Sequence, residues 1–296
     1  MKIAISGSTG LIGSAFARAA AAAAHTAIPL VRKRGVPSSV YWDPESGVID
    51  SDALEGVDAV LHLAGESIAS RRWTAAQKAR ILESRKKGTE LLASTLARLS
   101  RRPGVLVSAS AIGYYGDCGD RILTENSPSG SDFLAEVCRE WERATAAASN
   151  AAIRVVHLRT GIVLSSAGGA LPKMATPFKF FVGGKIGSGA QYMSWIDLED
   201  EVQVILHCIQ NGSIQGAVNS VGPSAVTNAE FTRTLGRVMS RPSVFPLPAF
   251  MARLMLGEMA DALLLSSQRV QPAKLTSTGY AFRHTNLEDT LRKILR

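Results

Sequence analysis

Lys2-Ile3-Ala4-Ile5-Ser6-Gly7-Ser8-Thr9-Gly10-Leu11-Ile12-Gly13 is a short apolar run followed by three glycines at G-x-x-G-x-x-G spacing. Ile3–Ser6 reads as a strand, and the alanine-rich stretch Leu11–Ala24 as a helix, alanine being the best helix former. Glycine permits the tight turn between them and lets a phosphate group approach the backbone. The helix that follows turns its free N–H groups and positive dipole end toward that anion. A glycine trio alone is weak evidence; its place in a strand–turn–helix unit gives it weight, against the alternative of a plain structural turn.

Outward from this turn the chain repeats the alternation. Ile28–Val31, Val57–Leu63, Val105–Ser108 and Ile153–Leu158 read as strands, and Thr74–Leu99 and Asp132–Ala148 as helices. Near-continuous apolar strands alternating with helices predict an α/β fold, a doubly wound parallel sheet of the Rossmann type over residues 1–165. Beyond Leu164 the texture changes, with Gly168, Gly169, Gly183, Gly184, Gly187 and Gly189 breaking the chain. Residues 166–296 read as a smaller, mostly helical, substrate-binding region, from which a strand near 217–221 returns to the sheet. Helices are expected over Asp197–Gln210, from a cap at Thr227 to Met239, over Ala249–Leu265 and over Leu287–Leu295.

The 296 residues are 46% apolar and 20% charged, which excludes a disordered or collagen-like chain. No apolar stretch is long enough to span a membrane, and the first apolar run is too short for a signal peptide. Cys118, Cys138 and Cys208 are odd in number and in no ligand spacing, so neither disulfide nor metal is expected, as in a reducing cytoplasm. The net charge of +8 is concentrated. Residues 71–102 hold ten Lys and Arg against two Glu. Such a patch suits an anionic partner, or is simply a solvated helix face. Nucleic acid is the weaker option, because Trp73 is the one aromatic residue in the patch.

The second strand ends in Val31-Arg32-Lys33-Arg34, where NAD-binding folds usually place an acid for the ribose hydroxyls. Cations there attract a 2′-phosphate instead, so Arg32 and Lys33 predict NADP(H); a solvated basic turn is the alternative.

The pattern as a whole resembles the extended short-chain dehydrogenase/reductase superfamily, NAD-dependent epimerase/dehydratase-like. The matching pieces are Gly7–Gly13, Asp58–Gly65, Gly88-Thr89, Val107–Ala111 and Tyr115-Gly116. Within it the chain is similar to the "epimerase family protein" group, nucleoside-diphosphate-sugar epimerase-like. The more specific pieces are Arg71-Arg72-Trp73, Ser84-Arg85, Ser110–Gly116, Trp141-Glu142, Ser194-Trp195-Ile196 and Ser267–Pro272. The resemblance implies cofactor contacts at Gly7, Thr9, Gly10, Leu11, Ile12, Gly13, Arg32, Lys33, Leu63, Ala64, Gly65, Arg85, Ser108 and Val163. Arg85 stands where relatives usually carry Asn. Such a cation suits a cofactor phosphate or a substrate anion, or else an ion pair with Glu83 or Glu90.

The superfamily works through Ser, Tyr and Lys. The Tyr moves a proton, and the Lys lowers the Tyr pKa. Here Ser110 matches the Ser, but Leu134 and Cys138 occupy the Tyr and Lys positions. Replacement proton donors are then expected at Tyr114, beside Ser110, or at Glu66, after Gly65. For Tyr114 the alternative is a packed aromatic, and for His62 a satisfied core histidine. Two functions follow. One is an NADP(H)-dependent oxidoreductase or epimerase acting on a nucleotide-sugar or other carbonyl substrate, with a non-standard proton donor. The other is an NADP(H)-sensing regulatory or scaffold protein without turnover, similar to relatives linked to cell or plastid division. A monomer and a homodimer fit the sequence equally.

Overall fold

The computed structural model describes residues 1–296. Its central sheet has eight strands, in the spatial order Gly216–Ser220, Arg154–Thr160, Val105–Ala111, Ala59–His62, Lys2–Ser6, Thr26–Val31, Val40–Asp43 and Val48–Ile49. All neighbours pair in parallel except the last two. The chain starts in Lys2–Ser6, builds one way through Thr26–Val31, and then crosses to Ala59–His62 on the other side. The order therefore reverses between Lys2–Ser6 and Ala59–His62, and the carboxyl ends of these strands open a crevice.

Side chains alternate across the sheet and feed two cores. Ile3, Ile5, Leu61, Val107 and Val156 pack with Phe16 of helix Leu11–Ala22 and Val202 and Ile205 of helix Leu198–Gln210. Ala4, Val60, Leu106 and Val155 pack with Leu92 and Leu96 of helix Ala75–Arg98. Burial on both faces is why these strands read as unbroken apolar runs. A third core joins helices Leu171–Lys179, Asn228–Met239 and Leu287–Leu295 through Phe178, Trp195, Phe231, Leu235 and Leu291. Thr227 and Glu230 close a reciprocal capping box at the start of Asn228–Met239. No helix is long and apolar enough to cross a membrane.

Two helices and two edge strands differ from the sequence reading. The helix expected over Asp132–Ala148 is divided into Phe133–Arg143 and Ala146–Asn150. Between them the Thr145 hydroxyl donates to the Glu142 carbonyl, 2.7 Å away, a local bond that competes with the helical ladder. The helix expected over Ala249–Leu265 stops at Leu256, because Gly257 adopts φ +63°, and resumes as Glu258–Ala260 and a wider turn over Asp261–Leu265. The edge strands Val40–Asp43 and Val48–Ile49 carried too little apolar pattern to be read as strands; they place Trp42 edge-on to the buried His62 ring.

Candidate functional site

Two cavities lie along the crevice. The first is a cleft of about 900 Å³, lined by Gly7–Gly10, Arg32, Lys33, Leu63–Glu66, Arg80, Ser84 and Lys87, among others. Its floor is the glycine turn. Gly7 sits at φ +70°, and a side chain there would press on the backbone of Leu63 and Ala64. At Gly13 a Cβ would overlap the Gly7 carbonyl oxygen, so the turn closes only without one. Gly10 caps helix Leu11–Ala22 without any side-chain bond, and the N–H groups of Leu11, Ile12 and Gly13 have no partner in the protein. That is the open N-terminus of an anion-binding helix. Arg32 and Lys33 are exposed at the other end of the cleft, and Arg80 and Lys87 bring part of the basic patch to its wall.

A buried polar chain fixes this floor. The Ser6 hydroxyl accepts from the N–H groups of Leu63 and Ala64, at 3.1 and 3.2 Å, and donates to His62 Nδ1 at 2.6 Å. That leaves His62 Nε2 to donate to Thr89 Oγ1, at 2.9 Å. Burial, helped by the Arg85 charge, pulls the His62 pKa down to about 4, so the ring is neutral and structural.

The second cavity, about 220 Å³, is mostly apolar. Ala111–Gly113, Leu134, Cys138 and Trp141 form one wall, and Thr160, Tyr192, Met193 and the turn Ala262–Leu264 the other. Leu134 and Cys138 thus face the cavity from the positions where the superfamily carries Tyr and Lys. Burial pushes the Cys138 thiol up to about 11, so it stays protonated and supplies no cation. Arg85 joins the two spaces. It lines the pocket, yet its guanidinium carbon lies 3.1 Å from where a Gly65 Cβ would sit, and Gly65 lines the cleft. Arg85 makes none of the ion pairs envisaged with Glu83 or Glu90; Glu83 pairs with Lys87 instead.

The residues expected to carry chemistry are dispersed. Ser110 is buried, and its hydroxyl donates to Glu142 Oε1 at 2.8 Å, beside the Cys138 thiol; it does not itself line the pocket, whereas its neighbour Ala111 does. Tyr114 does not line the pocket either; its ring centroid is 3.4 Å from the Arg159 guanidinium carbon, and the ring is edge-on to Tyr115. Glu66 lines the cleft rather than the pocket, accepting from Gln77 Nε2 at 3.3 Å. Ser108 is wholly buried within the sheet, and neither it nor Val163 lines either cavity. Ser110 and Tyr114 both serve a network centred on Arg159. That residue forks Glu142 through Nε and Nη2, at 2.8 and 2.9 Å, and donates to Tyr115 Oη at 3.1 Å. Tyr115 in turn donates to Asn219, at 2.6 Å. Trp141-Glu142 carries no role in the sequence pattern; an acid about three turns along from Asp132 was the available signal.

Three further residues emerge only in three dimensions. Tyr192 lines the pocket with its ring beside Arg269, and its hydroxyl makes no hydrogen bond within the protein. Thr160, also at the pocket, donates to Glu201 Oε1 at 2.9 Å. Glu201 is fully buried, and burial pushes its carboxyl up to about 7 despite bonds from Ser220 and Thr160.

Residues 3–222 match the NAD dependent epimerase/dehydratase family, and residues 247–294 match a domain of unknown function, DUF1731. The chain belongs to the NAD dependent epimerase/dehydratase family. It is 45% identical over 290 residues to epimerase family protein MT2273 of Mycobacterium tuberculosis, covering 98% of this chain and 96% of that one. The structure of human epimerase family protein SDR39U1 (isoform 2) with NADPH superposes with a TM-score of 0.91 at 32% identity, covering 99% of both chains. A nucleoside-diphosphate sugar epimerase from Corynebacterium glutamicum superposes with a TM-score of 0.83 at 39% identity; all of this chain spans 58% of that longer one.

Proposed function

We propose that the protein is an NADP(H)-dependent oxidoreductase acting on a carbonyl substrate. The observation that carries this reading is the junction at Arg85, where a phosphate-ready cleft meets a mostly apolar pocket. The uncapped helix N-terminus at Leu11–Gly13 suits a pyrophosphate, and the exposed Arg32 and Lys33 suit a 2′-phosphate. Human SDR39U1, similar over its whole length, is described with NADPH. When bound, such a cofactor supplies a hydride. The chain's own residues then have three tasks. Apolar side chains such as Ile112, Leu134 and Met193 exclude water from the pocket. Arg85 orients the bound molecule. Tyr192, which lines the pocket and whose hydroxyl has no partner in the protein, replaces Tyr114 and Glu66 as the group holding the proton.

Calorimetry with NADPH and NADH tests the cofactor half. NADPH is expected to bind more tightly, and Arg32→Asp to weaken it by about tenfold or more while changing NADH by less than about threefold. Equal affinity for the two cofactors in the unaltered protein would sink the assignment. Binding without turnover on any carbonyl compound would favour the sensing protein instead.

A further inference from the structure

Nine of the thirteen exposed large apolar side chains fall in three short stretches, 180–182, 244–245 and 250–255. These stretches adjoin one another. The Phe245 N–H donates to the Gly183 carbonyl at 3.1 Å and the Leu247 N–H to the Lys185 carbonyl at 2.8 Å, so the chain after Arg241 runs alongside residues 180–185. Helix Ala249–Leu256 follows directly from Pro248, and Ala252 is its one buried residue. Phe250 and Leu254, four apart and so on one helical face, are 68% and 76% exposed; Phe180 is 73% exposed. Single exposed apolar residues need no explanation, but a group of this size marks a surface that something else covers.

Charge identifies the cover. Residues 171–185 and 240–257 carry Lys173, Lys179, Lys185, Arg241 and Arg253 and no Asp or Glu. All five cations are exposed. Arg253 pairs with Asp261 at 2.9 Å, and the other four meet no carboxylate. The Arg241 guanidinium carbon lies 4.6 Å from the Phe181 ring centroid, so cation and apolar group share one spot. Arg72 donates to the Leu254 carbonyl at 3.3 Å, which adds the exposed Arg71-Arg72 end of the basic stretch to the same rim. A second copy related by a two-fold axis would set this positive rim against itself. Bulky apolar side chains standing among cations instead match the boundary layer of a bilayer with anionic headgroups.

We infer that this face seats the protein on an anionic lipid bilayer as a peripheral contact. The Phe, Leu and Met side chains enter the boundary between headgroups and acyl chains, and the Lys and Arg side chains meet lipid phosphates. The inference is independent of the oxidoreductase reading, since none of the nine apolar residues lines the cleft or the pocket.

The experiment is vesicle flotation of the full-length protein, with vesicles of phosphatidylcholine alone and of phosphatidylcholine with about one third phosphatidylglycerol. The protein is expected to float with the anionic vesicles and to bind the neutral ones about tenfold or more weakly. Phe180→Ser combined with Leu254→Ser is expected to lower binding to the anionic vesicles about tenfold or more. Lys179→Gln combined with Arg241→Gln is expected to lower it by a similar factor, at about fivefold per cation. All four side chains are exposed, so thermal unfolding of both double variants should match that of the parent. Failure to float with the anionic vesicles overturns the inference. So does equal binding to the two vesicle types, or binding by the Phe180→Ser, Leu254→Ser variant as tight as the parent's. Analytical ultracentrifugation without lipid tests the other occupant: a dimer that the same variant dissociates assigns the face to a second copy and overturns the inference as well.

Discussion

Ser110 donates its hydroxyl to Glu142, 2.8 Å away, and lies beside Cys138, a residue that lines the pocket. Its oxygen partner is already forked by Arg159, so Ser110 completes a buried ion pair rather than meeting a substrate. Ser110→Ala is therefore expected to cost about 1–2 kcal/mol of stability, measured by urea unfolding, with turnover little changed. Tyr114→Phe should be nearly neutral in both respects, since the hydroxyl bonds nothing. Tyr192→Phe should leave stability alone and lower turnover about 10²–10⁴-fold. A large loss of activity in Ser110→Ala with unchanged stability would return that residue to the chemistry.

The glycines of the turn should separate into two kinds. At Gly10 a Cβ meets only the Gly7 oxygen, at 3.3 Å, and the backbone is at an ordinary φ of −74°. Gly10→Val is thus expected to fold and to lose NADPH, its branched side chain filling the phosphate's space. At Gly13 the added carbon would overlap the Gly7 carbonyl, so Gly13→Ala should destabilise the protein itself. Thermal unfolding and calorimetry on both variants distinguish the effects; NADPH binding retained in Gly10→Val would make that glycine purely structural.

Two buried groups give stability a pH signature. Burial raises Glu201 from 4.5 to about 7, so in this window the folded state holds more protons than the unfolded one. Its contribution is fully present below pH 4.5 and is lost as pH rises through 7. His62 is lowered from 6.5 to about 4, so its contribution is present above 6.5 and lost as pH falls through 4. Between pH 4.5 and 6.5 the two slopes oppose each other. Glu201→Gln removes one of them, and the variant's stability should rise with pH across that window more steeply than the parent's. Chemical unfolding at several pH values measures it; parallel curves for the two proteins would show that Glu201 does not titrate there.

The local pattern was enough for six of the sheet's eight strands, the glycine turn and the basic end of the second strand. Each depends on residues close in sequence: apolar runs buried on both faces, glycines three apart, and cations directly after Val31. Phosphate recognition is legible for the same reason, since one turn and one helix end supply it. The pocket was not legible, because strand polarity and tertiary crossing decide it. A one-residue step along Val105–Ala111 puts Ala111 in the cavity and Ser110 on Glu142. Arg85, Trp141, Thr160 and Tyr192 come together from four separate elements, which no spacing rule connects. Whether a side chain is spent on a neighbour or left open to a ligand depends on what the fold places beside it. Tyr114 covers Arg159, whereas Tyr192 lines the pocket and its hydroxyl has no partner in the protein.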